Sequence, residues 1–203
     1  RSTLFPYTTL FRSALAVVMM ESNDAQFMRP HGEDGLKMIK EMNQGHEDIS
    51  NFAMECIDTS VDDDVLDIGC GGGVNIEKFL RRCPDGNVWG LDYSVVSVSE
   101  SIKRNQEAVD MGRCQVIEAN VCNMPIDDDT FDIVSAFSSI YFWPDFKNTL
   151  KKVFKIIKTN GQFMIACGSD GNDPNDEDWV DADAGMTVYT EEQLIEYLRK
   201  AGC

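Results

Sequence analysis

The stretch "VLDIGCGGGVNIEKFL", residues 65–80, joins a short apolar run to an amphipathic segment through a cluster of glycines. The apolar run predicts a short buried strand, and the apolar residues after the glycines recur at the spacing of a helix, at Val74, Ile76, Phe79 and Leu80. The glycines at positions 69, 71, 72 and 73 therefore lie in a strand-to-helix turn. Such a turn lets backbone approach a ligand, and the free N–H groups of the helix point into the same space.

The rest of the chain continues the alternation of strand and helix. Strands are predicted at "NVWGLDYS", "CQVIEANV", "FDIVSAFSS" and "GQFMIAC", which occupy residues 87–94, 114–121, 131–139 and 161–167. Helical stripes follow, over Val95 to Val109 and Phe146 to Ile157, and a last helix begins at Thr190 as its N-cap. We predict an α/β fold, a Rossmann-like three-layer αβα sandwich with a mainly parallel sheet. Ligands of such sheets bind beyond the carboxyl ends of the strands.

The charge of the chain narrows the class of partner. Its 203 residues carry 18 Lys and Arg against 35 Asp and Glu, a formal net charge of −17, and the pI is near 4.3. Nucleic acid and anionic membranes would be repelled by such a surface, so we expect neither as a standing partner. A small-molecule substrate fits the charge better.

The cysteines indicate no structural cross-links. The seven thiols are odd in number and form no Cys-x-x-Cys pair, so neither a metal site nor a disulfide framework is predicted. Reduced thiols in a cytoplasmic protein fit this pattern. The longest apolar run near the N-terminus, Ala14 to Met20, is too short to span a bilayer.

Three segments can be distinguished along the chain. Residues 1–13, "RSTLFPYTTLFRS", contain a near-repeat and resemble a translated sequencing adapter, although a genuine N-terminal segment is the alternative. Residues 14–60 are predicted to form an N-terminal helical cap, with two helical stretches between Asp34 and Asp58. Residues 61–203 are predicted to form the ligand-binding domain.

The glycine-rich turn alone does not identify its ligand. A dinucleotide fingerprint G-x-G-x-x-G that starts at Gly69 requires glycine at position 74 and finds Val74, which disfavours a nicotinamide cofactor. Asp92, at the end of the second strand, is placed to accept hydrogen bonds from ribose hydroxyls. Asn120 ends the third strand, where an amide could read an adenine edge. A nucleoside ligand is therefore expected.

With these residues the chain resembles a known family, the class I S-adenosylmethionine-dependent methyltransferases, and within it the small-molecule members of type 11. "VLDIGCGGG" resembles their first motif, "VWGLDYS" their second-strand motif, "IEANVCNMPIDDDTFDIVSAF" their adenine-side and fourth-strand segment, and "KIIKTNGQFMIA" their fifth-strand entry. The four motifs occur in the right order at the right spacing. The resemblance implies S-adenosyl-L-methionine as the methyl donor and a small-molecule acceptor.

The resemblance also implies roles for particular residues. It assigns the methionine part of the donor to Asp67 and to the turn backbone, the ribose to Asp92, the adenine to the ends of the second and third strands, and the sulfonium end to the residue after the fourth strand. The donor-binding set is Asp67, Gly69, Cys70, Gly71, Asp92, Tyr93, Asn120, Val121 and Phe137.

Two features depart from the family pattern. Asn120 stands where Asp is more common, so the adenine edge that it reads is expected to differ, because an amide adds donors to an acceptor oxygen. The two strands that follow the last helix in the family, strands 6 and 7, are missing from the sequence. The chain is therefore predicted to be a fragment of the family domain.

Methyl transfer itself places few demands on side chains. It is an in-line displacement at a carbon activated by a positive sulfur, so positioning and exclusion of water dominate, and no catalytic residue is obligatory. If the acceptor carries a proton, His46 and Tyr141 are the candidate bases near the expected mouth. Helix capping or donor positioning is the alternative role for His46, and a place in the pocket wall is the alternative for Tyr141.

The sequence thus predicts a methyltransferase that acts on a small molecule. A nicotinamide-dependent oxidoreductase and a non-catalytic nucleoside-binding module remain as alternatives, the second because the missing strands would leave the sheet edge bare. Neither the acceptor nor the oligomeric state is predicted.

Overall fold

A five-stranded sheet forms the centre of the computed structural model, which describes residues 26–172 and 185–202. Its strands are β1 (Val65–Ile68), β2 (Val88–Asp92), β3 (Cys114–Glu118), β4 (Phe131–Phe137) and β5 (Ile157–Ala166). Their order is β3-β2-β1-β4-β5, and every neighbouring pair is parallel. The predicted α/β fold with a parallel sheet is confirmed.

Helices precede and connect the strands. They are α1 (Gly32–Gly45), α2 (Glu47–Cys56), α3 (Val74–Arg82), α4 (Val95–Arg104), α5 (Gln106–Asp110), α6 (Phe146–Ile156) and α7 (Glu191–Ala201). Single turns of 3₁₀-helix follow β3 at Val121–Asn123 and β4 at Ile140–Phe142. As predicted, two helices lie ahead of β1. Residues 1–13 lie outside the described residues.

The sheet is covered on both faces. Successive strand residues point to opposite faces, so Leu66 packs in a cluster that contains Leu150 of α6, whereas Val65 packs in a second cluster with residues of α2 and α3. All four residues of β1 are buried, as expected for a parallel strand between two helical layers. These two apolar layers confirm the predicted three-layer sandwich.

The predicted boundary between the sixth helix and the last strand is wrong. Ile157 was expected in the helical stripe and the strand from Gly161, but β5 begins at Ile157 with no intervening loop. The strand bulges, since Phe131 pairs with Ile157 while Ile133 pairs with Gln162. The pairing of Ile157 with Phe131 of β4 places this start, and next to it the Lys158 ammonium lies 3.1 Å from the Asp64 carboxylate and 2.7 Å from that of Asp132.

The helix predicted after β2 is also interrupted. It ends at Arg104, and α5 begins after Asn105, whose buried amide donates to the carbonyl oxygens of Gly73, at 3.1 Å, and Ser101, at 2.9 Å. A side chain that bonds to backbone in this way competes with continuation of the helix. The break therefore ties α4 to the glycine-rich turn.

One edge of the sheet is formed by β5. In the part of the chain that the structure describes, no strand pairs with its outer side, so the family's strands 6 and 7 are absent there. Within the same residues, no helix combines the length and the apolar character needed to cross a bilayer.

Candidate functional site

A cavity of about 280 Å³ opens at the carboxyl ends of the strands. It lies where the chain order of the sheet reverses, between β1 and β4, which is the usual position of a ligand in an open α/β sheet. Its walls come from the glycine-rich turn, the ends of β2, β3 and β4, and the junction of α1 with α2. The sheet topology therefore brings residues from distant parts of the sequence together.

Two glycines of the turn have different functions. Gly71 has φ +50° and borders the cavity, and a Cβ atom built on it would meet nothing within 4 Å. Gly73, at φ +75°, would place a Cβ atom 2.5 Å from the Ser101 hydroxyl of α4. Gly71 thus leaves space that a ligand can occupy, whereas Gly73 allows α4 to pack closely against the turn.

Asp92 joins the end of β2 to this turn. One carboxylate oxygen accepts a hydrogen bond from the Ser94 N–H at 2.9 Å, and the other accepts from the Gly71 N–H at 3.0 Å. Burial raises the pKa of Asp92, and the backbone hydrogen bonds oppose that shift. The Tyr93 N–H and the Ser97 side chain bond to the same carboxylate, which lines the cavity.

Asp67 is the one donor-binding candidate that does not line the cavity. Its Oδ1 accepts a hydrogen bond from the Ser135 hydroxyl at 2.8 Å, and its buried Oδ2 has no partner in the described ranges, 26–172 and 185–202. Burial raises the pKa of Asp67 to about 7, and the charge of Asp92 adds to the shift. The Asp67 side chain is therefore buried between β1 and β4 and does not reach the cavity.

The remaining donor-binding candidates line the cavity, at Gly69, Cys70, Gly71, Asp92, Tyr93, Asn120, Val121 and Phe137. On the adenine side, the Asn120 side-chain oxygen accepts a hydrogen bond from the Cys122 N–H at 2.9 Å and caps the 3₁₀ turn. The amide nitrogen of Asn120 is then the group left for a ligand. Because of this cap, Asn120 offers donors rather than an acceptor to the cavity.

The segment of residues 26–31, called here the N-terminal strap, forms one side of the cavity through Phe27, Met28 and Pro30. The Tyr93 hydroxyl donates to the Met28 carbonyl at 2.6 Å, and the Ser94 hydroxyl donates to the Pro30 carbonyl at 2.5 Å. These bonds hold the strap on the turn after β2. No periodicity or motif in the sequence indicated this contact.

The two candidate bases occupy different environments. His46 lines the cavity at the junction of α1 and α2. It is the C-cap of α1, through its backbone N–H, and the N-cap of α2, and its side chain makes no capping hydrogen bond, so capping through the backbone stands beside a role at the cavity. Tyr141 is buried and is not among the residues that line the cavity. Its hydroxyl accepts a hydrogen bond from the Ser169 N–H at 3.3 Å, and burial raises its pKa. The structure thus brings only His46 to the predicted site.

Sequence reasoning missed several polar residues that line the cavity. Asn43, Ser50 and Asn75 come from three different helices, and Ser138 follows β4 with φ +47°. A backbone conformation of this kind is uncommon outside glycine and recurs at functional sites. His46 directly follows α1, four residues after Met42, and this spacing was the available signal for the contribution of the junction of α1 with α2.

The sheet order, the glycine-rich turn and the acidic residue after β2 define a nucleoside-binding α/β domain. Residues 66–165 match the model of a family described as a methyltransferase domain. A solved S-adenosylmethionine-dependent methyltransferase of Aquifex aeolicus superposes with a TM-score of 0.67 at 16% identity, over 82% of this chain and 87% of the other. Just under half of the chain thus matches a methyltransferase domain, and the chain has the fold of the class I S-adenosylmethionine-dependent methyltransferases.

Curated relatives are similar over part of their length. A 2-methyl-6-phytyl-1,4-hydroquinone methyltransferase of rice is 30% identical over 167 residues, which are 79% of this chain and 45% of the relative. A demethylmenaquinone methyltransferase of Listeria welshimeri is 30% identical over 116 residues, 57% of this chain and 48% of the relative. The chain thus spans about half the length of these relatives.

Proposed function

We propose that the chain binds S-adenosyl-L-methionine in the cavity and transfers its methyl group to a small-molecule acceptor. The observation that carries the proposal is the cavity itself, because eight of the nine donor-binding candidates border it although they come from the ends of four different strands and the turns after them. The open space beside Gly71, which borders the cavity, fits a ligand that lies along the turn. The family match supports the same donor.

In this proposal the protein positions the donor and the acceptor, and the donor supplies the reactive group. The bound donor supplies a methyl group that is activated by a positively charged sulfur. The Asp92 carboxylate binds the ribose hydroxyls, and Asn120 donates to the adenine. Phe27, Phe142 and Trp143 exclude water from the reacting end of the cavity. If the acceptor carries a proton, His46 is the base, because it is the candidate that lines the cavity.

We propose an acceptor with an apolar body. Apolar side chains, among them Met42, Phe137 and Pro144, form much of the wall of the cavity that His46 also lines. The names of the rice and Listeria relatives give a phytyl hydroquinone and demethylmenaquinone as their substrates, which supports an apolar acceptor here. The charge of −17 supports the expectation that nucleic acid is not the acceptor.

The domain limits and the compartment are proposals as well. We propose that residues 14–60 act as a cap over the domain formed by residues 61–203, supported by the bonds of the N-terminal strap to Tyr93 and Ser94. A reducing compartment such as the cytoplasm is supported by the six described cysteines, all of which are free thiols.

Titration calorimetry with S-adenosylhomocysteine tests the donor site. We expect saturable binding that Asp92→Ala weakens roughly 10- to 100-fold, the loss expected for hydrogen bonds to a charged group, and that Asp92→Asn weakens less. Asp110→Ala removes an exposed carboxylate of α5 and is the matched control. Wild-type affinity in Asp92→Ala would remove Asp92 from the site, and binding of a nicotinamide dinucleotide instead would favour the oxidoreductase. Transfer of labelled methyl groups to a panel of quinols then separates an enzyme from a binding module.

A further inference from the structure

A chain of three polar side chains runs from the protein surface to the cavity. The Lys78 ammonium of α3 donates to the Ser50 hydroxyl of α2 at 2.6 Å, and that hydroxyl donates to the side-chain oxygen of Asn75. Ser50 is only 3% exposed, and both Ser50 and Asn75 line the cavity. Asn75 and Lys78 are three residues apart on α3, so they share one face of the helix.

The donors and acceptors of these three side chains determine which end of the Asn75 amide faces the cavity. An ammonium group has donors only, so Ser50 must accept from Lys78, and the hydroxyl proton is then available for an acceptor. The acceptor beside Ser50 is the Asn75 oxygen. The NH₂ group of Asn75 forms no hydrogen bond with the described part of the protein and is not a buried unsatisfied group. Asn75 therefore presents N–H donors to the cavity.

The position of Asn75 suits an anionic ligand group. Asn75 is the second residue of the nine-residue helix α3, which begins directly after the glycine-rich turn, and no side chain caps this helix start. Free N–H groups and the helix dipole favour negative charge at such a start. Asp92 holds the opposite side of the same turn through the Gly71 N–H. Asp92, the glycine-rich turn and Asn75 line one cavity, so a ligand with its ribose at Asp92 and its chain along the turn can place its far end at Asn75.

We propose that Asn75 binds the carboxylate of the amino-acid part of S-adenosylmethionine, and that Lys78 and Ser50 are positioning residues that hold its amide in the donating orientation. The inference rests on the proposed function and adds to it a residue that the family motifs do not assign. It requires no bond to form or break, because the interaction is a set of hydrogen bonds to an anion.

Titration calorimetry with two donors, S-adenosylmethionine and its decarboxylated analogue, tests the proposal on the full chain. Asn75→Leu should weaken the binding of S-adenosylmethionine roughly 10- to 100-fold, because hydrogen bonds to a charged group are lost. The affinity for the decarboxylated analogue should stay unchanged. Asn75→Asp should weaken the binding of S-adenosylmethionine at least as much, because it places a second negative charge beside the carboxylate of the ligand. The same variant should not lower the melting temperature, since an acidic residue is favourable at a helix start.

Ser50→Ala tests the positioning role, because it leaves Asn75 in place and frees its amide to rotate. We expect a smaller loss, roughly threefold to tenfold, again confined to S-adenosylmethionine. The matched control is Asn51→Ala, which removes the other acceptor of the Lys78 ammonium, an exposed side chain outside the cavity lining, and should change neither affinity.

Three outcomes would overturn the proposal while the proposed function stands: equal losses for both donors, no loss in either Asn75 variant, or a wild-type protein that binds the two donors equally. A wild-type protein that binds neither donor would overturn both.

Discussion

At the scale of single residues, Gly71 is a glycine that the ligand site requires, whereas Gly73 is one that the packing of the fold requires. Its backbone lies in the left-handed region, and a side chain there would project into the cavity rather than into protein. Gly73, two residues further on, is required by packing against α4 instead. The same turn thus contains a glycine whose loss should affect binding and one whose loss should affect folding.

We expect Gly71→Ala to weaken S-adenosylhomocysteine binding at least tenfold, because the added methyl group occupies ligand space, and to lower stability by about 1–2 kcal/mol through left-handed strain. The control is Gly112→Ala, at φ +74° in an exposed turn where a Cβ atom also meets nothing within 4 Å. It should show a similar loss of stability in urea denaturation and unchanged affinity in calorimetry. Equal affinities for both variants would mean that the turn does not contact the ligand.

Asp67 makes the stability of the protein depend on pH. Its pKa is about 7 in the folded protein, against 3.8 for an exposed aspartate. The folded state therefore binds the Asp67 proton more tightly than the unfolded state does. The protonated Asp67 contributes its full stabilisation below about pH 4, and this contribution is lost as pH rises through about 7. Asp67→Asn cannot ionise and keeps the acceptor for Ser135.

We expect wild type to lose about 2 kcal/mol more than Asp67→Asn in free energy of unfolding between about pH 5 and about pH 8. The measurement is urea denaturation of both proteins across that range. Asp92, whose charge adds to the shift, is present in both and cancels in the difference. Parallel curves would show that Asp67 is ionised throughout.

At the scale of elements, the start of α7 is set by its own sequence. Thr190 accepts a hydrogen bond from the Gln193 N–H at 3.3 Å, and the Gln193 side chain accepts from the Thr190 N–H at 2.9 Å, which completes a capping box. The predicted N-cap is confirmed. Local capping of this kind needs no distant partner, which is why it could be recognised in advance.

Thr190→Ala should lower the free energy of unfolding by about 1 kcal/mol, since it leaves a helix-terminal N–H without its acceptor. Thr190→Ser retains the hydroxyl and is expected to stay within about 0.5 kcal/mol of wild type. Chemical denaturation followed by circular dichroism compares the three proteins. A stability of Thr190→Ala equal to that of wild type would show that α7 frays before the protein unfolds.

At the scale of the whole molecule, charge opposes the compact state. The excess of 35 acidic over 18 basic residues gives self-repulsion that acts between surface groups and is screened by salt. We expect the melting temperature to rise by about 2–4 °C when sodium chloride increases from about 50 mM to about 500 mM, which corresponds to about 1 kcal/mol. Potassium chloride should act equally. A falling melting temperature would mean that ion pairs such as those of Lys158 outweigh the repulsion.

The sequence alone determined the strand, turn and helix of residues 65–80, the end of β2 at Asp92 and the alternation that implies a parallel sheet. These features depend on periodicity and turn chemistry over a few neighbouring residues. Once the strands are known to be parallel, their carboxyl ends must meet, so the part of the cavity lining that comes from the strand ends followed as well. Eight donor-binding candidates therefore lie together in the structure.

Only the tertiary structure decided the rest. It buried Tyr141 away from the cavity, started β5 at Ile157, laid the N-terminal strap beside Tyr93 and oriented the Asn75 amide through Ser50. The partners in these contacts are far apart in the chain, 25 residues for Ser50 and Asn75 and 94 for Asp64 and Lys158. The packing of the helices and the sheet determines which hydrogen bonds and ion pairs of this range form. The sequence around either partner does not indicate which distant residue it contacts.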